Sequence, residues 1–228
     1  MNIWRQIKQS IRVTSSFPIL FLPLFAISVL STILASDALL ASLGAGTSLG
    51  LNLVILLFLA PPAMGIIIIW DRQIVNKGEI DSSKGLRTLL PKYPLLIGAY
   101  LVSWVATILG LFAFLLPGFY IMIKFMFVNQ EIILDGEENL EKVLKLSWKQ
   151  TTGHWLRLFS LTASLMVPLL AIELMTYELP PGVAATISTV LGAALQTWLV
   201  LAITRAFIYL KNLEVQEDQG TGMKFGGN

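Results

Sequence analysis

The sequence contains no cysteine and a single histidine, and only 13% of its 228 residues are charged against 55% hydrophobic. Without cysteine there is no disulfide, no thiolate metal site and no cysteine nucleophile; the compartment stays open, because a thiol-free chain suits either redox environment. His154, alone and without a neighbouring acid or nucleophile, is a poor zinc ligand or general base, and its place beside Trp155 fits an interface residue. No phosphate-cradling glycine loop, nucleophile elbow or metalloprotease helix occurs. These absences argue against an enzyme, a cofactor and a metal site. The basic residues are dispersed rather than gathered in a soluble domain, so nucleic-acid binding has no support beyond charge.

What the chain does have is more apolar surface than a soluble core of this size can hide. Hydrocarbon about 30 Å thick takes roughly 20 apolar residues in helical form. Six runs approach that length, at 17–35, 50–70, 94–115, 118–134, 156–175 and 184–209. The third and fourth are parted by Leu116, Pro117 and Gly118, which predicts a helical hairpin. The expected fold class is therefore all-α, a polytopic bundle of six transmembrane helices.

Basic residues of short loops stay on the cytoplasmic side. Arg5, Lys8 and Arg12 precede the first run, Arg72, Lys77, Lys84, Arg87 and Lys92 follow the second, and Lys142, Lys145 and Lys149 follow the fourth. Arg157 lies just inside the fifth, and Arg205, Lys211 and Lys224 mark the C-terminal end. The loops 36–49, 116–117 and 176–183 have none, and only Lys124 falls outside the partition. Both termini are expected in the cytoplasm, in an inner or equivalent internal membrane. The N-terminal charges and apolar run imitate a secretory signal, but the run exceeds the usual 7 to 15 residues of a signal core, so it reads as the first span.

Each cytoplasmic segment carries an amphipathic stretch of helical period. In the first, Ile3, Ile7 and Ile11 with Trp4 oppose Arg5, Lys8, Gln9 and Arg12. The second, 81–90, sets Leu86, Leu89 and Leu90 against Lys84 and Arg87; the third, 137–150, sets Leu140, Val143, Leu144 and Trp148 against Glu141, Lys142, Lys145 and Lys149. Asp135 and Glu138 suggest a capping box before the third. Such helices lie on a membrane surface, with anionic headgroups as partners. Surface helix plus hairpin recurs three times, giving one domain over 1–213 with tandem units 1–71, 72–136 and 137–213. The glycine-containing polar tail, 214–228, is expected to be disordered.

Charges within lipid are costly and open a functional question. Lys124 and Glu173 fall at comparable outer depths; they either face each other inside the bundle, or snorkel and reach headgroups separately. Asn129, Gln130 and Glu131 make a polar step in the fourth run, where Glu131 could meet Arg205 or simply satisfy its neighbours. Pro61 and Pro62 break the second run and free the carbonyls of Leu57 and Phe58, as at a transporter site or, among such apolar neighbours, a packing kink. Trp4, Trp70, Trp148 and Trp155 read as interfacial anchors, Trp104 and Trp198 as deeper packing residues. Small-residue rows at Ala99, Ser103, Ala106 and Gly110, and at Ser188, Gly192 and Gln196, suit close helix contacts.

The run from Leu115 through Pro117, Gly118, Phe119 and Tyr120 to Lys124, then 131–135, then 140–148 ending in Ser147 and Trp148, then Gly153, His154 and Trp155, forms a pattern. Over about residues 61–163 it resembles the membrane domain of glycerophosphoryl diester phosphodiesterases and related stand-alone membrane proteins of unknown function. The resemblance implies a helical membrane module with surface helices. It implies no phosphodiesterase activity and no catalytic residue, because that chemistry belongs to a separate soluble barrel. The expected role is a non-enzymatic accessory, scaffold or lipid-organising subunit of a membrane complex. The alternative is a small-solute transporter or channel using Lys124 and Glu173.

Overall fold

Helix follows helix through the computed structural model, which describes residues 3–36, 42 and 45–222; these are 89% helical and hold no strand. Among the described residues, four helices are long and apolar enough to cross a membrane: Gly50–Lys77, Ser82–Ala113, Trp155–Thr176 and Gly182–Gln216. A fifth candidate, Ile3–Ser16 with Pro18–Leu34, passes only as a pair bent by 109°. Residues 37–41 and 43–44 of the predicted 36–49 loop, and 223–228 with Lys224, lie outside the described residues.

The chain opens with α1 (Ile3–Ser16). Pro18, whose fixed φ suits a helix start, begins a 3-10 turn that leads into α2 (Leu22–Leu34). α3 (Ala45–Phe58) and α4 (Ala60–Lys77) are parted at Leu59 because Pro61 and Pro62 have no N–H to continue the ladder. Of the carbonyls so freed, that of Phe58 accepts from the Tyr93 hydroxyl at 3.2 Å, which fits a kink sealed by packing. α4 ends on Gly78 at φ +72°, a left-handed cap.

Asp81 caps α5 (Ser82–Leu89) by accepting the Lys84 N–H at 2.9 Å, and a 3-10 turn through Pro91 carries the chain into α6 (Tyr93–Ala113). The hairpin turn falls at extended Phe114, ahead of the expected Leu116-Pro117, and α7 (Leu115–Lys124) takes Pro117 into its first turn, where the missing N–H costs nothing. The predicted fourth run is not one helix. After Lys124 the chain turns through Phe125 to Phe127, makes a single turn at Val128–Gln130 and closes with a π-helical segment, Glu131–Asp135. Gly136 at φ +71° ends it.

α8 (Leu140–Thr151) is capped by Asn139, whose side chain accepts the Lys142 N–H at 3.0 Å. The expected Asp135–Glu138 box does not form, because the π segment occupies Asp135. α9 (Trp155–Thr176) leads to α10 (Pro181–Gly222). Contrary to the disordered tail expected from 214, α10 stays helical through Gly222. Glu214, Gln216 and Glu217 are good helix formers that carry it on, and Glu214 is tied to Lys149 of α8 at 2.6 Å.

Close packing concentrates where the amphipathic helices sit. Leu24, Ile67, Ile68, Leu96, Ile132 and Leu201 make one buried cluster; Ile7, Phe127, Leu158, Leu161, Ala206 and Phe207 make another. α10 serves both, with Leu201 facing the first and Ala202 and Ala206 the second. The opposite end of the bundle is looser and holds the largest cavity described below.

Candidate functional site

The break in the predicted fourth span is filled from α8. Ser147, fully buried, donates to the Lys124 carbonyl at 2.8 Å and accepts from the Phe127 N–H at 3.2 Å. Those two backbone groups lose their helical partners when the chain turns, and a backbone group left unpaired away from water is costly. Thr151, one turn along α8, adds a second contact to the Lys124 carbonyl at 3.5 Å. The buried face of α8 is therefore Val143, Ser147 and Thr151, more polar than the Leu140–Trp148 face predicted.

Lys124 is 1% exposed and turns toward the C-terminal end of α8, donating to Thr152 Oγ1 at 2.7 Å and to the Trp148 carbonyl at 3.4 Å. Its Nζ lies 5.3 Å from the Tyr120 ring centre and 5.2 Å from that of Trp148. A buried, uncompensated lysine costs several kcal/mol. Two ring faces at about 0.5 to 2 kcal/mol each, with a helix C-terminus at about 0.3 to 1 kcal/mol, offset a cost of that size. Of the two arrangements the sequence left open, the pairing of Lys124 with Glu173 is not formed.

Arg205, for which the sequence left Glu131 open as a partner, binds Asp71. Its Nη2 donates to Asp71 Oδ1 at 3.1 Å, and its Nη1 donates to Ser10 Oγ at 3.3 Å, while Ser10 donates to the Gln6 carbonyl at 2.9 Å. Asp71 is 2% exposed and Ser10 fully buried, so this triad ties α1, α4 and α10 at one buried point. It also explains why α1 buries Gln6 and Ser10 beside Ile7 while Ile11 and Trp4 face outward.

Glu131 opens the π segment, buried, with Oε2 unpartnered; neighbouring Gln130 donates to Thr204 at 3.4 Å. The far end of the segment is ringed by cations. Lys92 donates to the Ile132 carbonyl at 2.7 Å and to that of Ile133 at 3.3 Å, Arg72 donates to the Leu134 carbonyl at 2.9 Å, and Lys211 pairs with Asp135. Cations at the negative end of a helical segment are stabilising, and here three separate elements supply them.

Glu173 lies elsewhere, in a cavity of about 930 Å³ between α2, α9 and α10. Ser188, Gly192 and Gln196, predicted as a contact row, line that cavity. In the other row, Ala99 is buried and Gly110 meets Gly118, while Ser103 lines an apolar lateral groove of about 400 Å³ against Met64 and Trp104.

The tryptophans divide. Trp4, Trp148 and Trp155 are 76%, 40% and 36% exposed, as anchors would be. Trp70 is 8% exposed and is no anchor: its ring packs on Gly85 of α5, where an added Cβ would lie 2.9 Å from Nε1. Trp148 and Trp155 also pack edge-on against Tyr120, walling the Lys124 site. His154 immediately precedes α9.

Asp71, Ser147 and Thr152 escaped sequence reasoning. Asp71 had a visible signal, an acid directly beside a long apolar run; Ser147 stood in the Ser147-Trp148 pattern without a role, and Thr152 had no signal. No family model, curated protein or solved structure matches this chain.

Proposed function

We propose that this chain is a non-enzymatic membrane module, an accessory, scaffold or lipid-organising subunit. In this reading three helical hairpins hang from three cytoplasmic surface helices, with six spans and both termini cytoplasmic. The observation that carries it is the use to which the buried charges are put. Lys124 is held by α8 and two aromatic rings, and Arg205 by Asp71 and Ser10, so each joins elements together.

The bend of 109° after α1 supports a surface helix leading into a span. α1 exposes Arg5, Lys8 and Arg12, and α5 exposes Lys84 and Arg87, toward anionic headgroups. The likeness to the phosphodiesterase membrane domain belongs to this reading and bears on fold alone. Other membrane subunits are the expected protein partners. Transport, the second reading, draws on the cavity that holds Glu173, to which Lys124 does not contribute.

Native mass spectrometry of the chain extracted from its own membranes tests the function. Co-purifying subunits or retained anionic lipid are expected, with lipid retention reduced when Lys8, Arg12, Lys84 and Arg87 are replaced by Gln. A protein that emerges alone and lipid-free overturns the proposal. The topology has its own test, since the chain has no native cysteine. Impermeant maleimide should label Ser36→Cys, Leu116→Cys and Glu178→Cys from one side, and Gln9→Cys, Ser83→Cys and Glu141→Cys from the other.

A further inference from the structure

α2 and α9 each pack along α10, and the cavity of about 930 Å³ lies between them, at the end of the bundle away from the surface helices. From Gly182 to Gln196 its wall runs roughly 21 Å along α10 at helical rise, a large part of a hydrocarbon layer about 30 Å thick. The lining is polar for such a depth: Ser28, Ser31 and Thr32 from α2, Ser188 and Gln196 from α10, and Glu173 from α9. Two hydroxyl pairs set the walls, Thr32 with Thr189 at 2.7 Å and Thr176 with Ser188 at 3.3 Å.

Among the described residues Glu173 is the one charged side chain of that lining, and its carboxylate has no hydrogen-bond or ion-pair partner there. Glu173 is exposed, so its carboxylate stands free at the cavity to meet a cationic group that enters. Among the described residues no basic side chain lines the cavity, which disfavours an anion. A single carboxylate also falls short of the several oxygen ligands that a hard divalent cation gathers. An ammonium group has three donors and no acceptor, and the cavity offers a carboxylate, an amide carbonyl and hydroxyl oxygens.

We infer that this cavity binds a ligand bearing a primary ammonium group, with Glu173 as its counter-ion and Gln196 and the α2 serines as further acceptors. The ammonium comes from an aminated lipid headgroup entering between α2 and α9, or from a free amine entering through the open end. The inference stands apart from the scaffold reading, since it needs only this cavity.

The test uses the full chain in nanodiscs. Equilibrium dialysis with ethanolamine in discs of phosphatidylglycerol alone reads the free amine; native mass spectrometry of discs that also contain phosphatidylethanolamine reads the headgroup. Binding in either arm is expected, and which arm responds names the source. Glu173→Gln should weaken binding about tenfold or more, the loss of one charge-assisted hydrogen bond, with an unchanged melting temperature. Gln196→Leu, which leaves the charge in place, should weaken it about threefold or more, and supplies the answer if Glu173→Gln fails to fold. Choline, with no N–H to donate, should compete about tenfold less well than ethanolamine. Absence of binding in both arms, equal binding by wild type and both variants, or equal competition by choline overturns the proposal.

Discussion

Ser147 bridges the broken backbone after Lys124, giving its hydroxyl proton to the Lys124 carbonyl at 2.8 Å and taking the Phe127 N–H at 3.2 Å. One side chain thereby satisfies two backbone groups that the break leaves without helical partners. Ser147→Ala leaves both unpaired apart from the long Thr151 contact, at about 1 to 3 kcal/mol for each buried group. Thermal unfolding in mild detergent should show a loss of at least about 2 kcal/mol. Ser160→Ala, an exposed hydroxyl bonded back to its own helix, is the control expected within about 0.5 kcal/mol. Equal effects would mean that the bridge is dispensable.

The Arg205–Asp71 pair is nearly dry, with side chains 12% and 2% exposed. Removing one partner strands the other, so Asp71→Ala and Arg205→Ala should each cost about 3 to 5 kcal/mol. The double replacement Asp71→Leu with Arg205→Met should be milder than either, because no buried charge remains. A double variant as damaged as the sum of the singles would show that the two residues act independently.

Hydropathy made most of the bundle legible, and amphipathic period placed all three short helices, because both signals are local. The kink at Leu59 was readable because proline enforces it. The break at Phe125 to Phe127 was not: no proline or glycine marks it, and what sustains it is a serine about twenty positions away. Arg205 and Asp71 lie 134 residues apart, and with several acids near one end of the bundle the sequence could not choose between Asp71 and Glu131. Trp70 misled because boundary position suits an anchor, whereas the small surface of Gly85 draws α5 across its ring. Glu173 stood out in the sequence as an unusual charge, but its surroundings depend on how far α2 and α9 stand apart, which no local pattern encodes.

The Lys124 site predicts a coupling. Trp148→Leu removes a ring 5.2 Å from Nζ but keeps an apolar side chain and the accepting carbonyl. Its cost should be larger with Lys124 present than in a Lys124→Met background, by about 0.5 to 2 kcal/mol. The double-mutant cycle reads this from four unfolding curves, and a coupling near zero would leave the ring with a packing role only.

Acid should loosen the short helices first. The Lys84 backbone N–H and the Ser83 hydroxyl hold the Asp81 carboxyl below the usual carboxylate range. Hydrogen bonds from Lys142 and from Lys145 do the same for Glu137 and Glu141. Folded values below the unfolded ones mean that this stabilisation is present above about pH 4 and is lost as pH falls through the lower folded values. Melting temperature followed stepwise into acid should drop more in wild type than in the triple variant Asp81→Asn, Glu137→Gln, Glu141→Gln. Asparagine at position 81 keeps a neutral cap, so the variant isolates the titration; parallel acid limbs would assign the loss to other groups.

The tight turn at Phe114 brings α6 and α7 together at Gly110 and Gly118. A Cβ on Gly110 would lie 2.9 Å from the Gly118 Cα, and one on Gly118 would lie 2.8 Å from the Leu111 backbone nitrogen and 2.4 Å from its Cγ. Backbone cannot step aside as a side-chain tip can, so either alanine must part the two helices. Gly110→Ala and Gly118→Ala should each cost about 1 to 3 kcal/mol. Gly98→Ala on the same helix, with nothing within 4 Å of the added carbon, should be neutral or slightly stabilising, since alanine is the better helix former by about 1 kcal/mol. Because all three sites are helical glycines, propensity alone predicts the same stabilising sign for each. Only a close crossing reverses it at two of them, and three matching melting shifts would remove that crossing from the account.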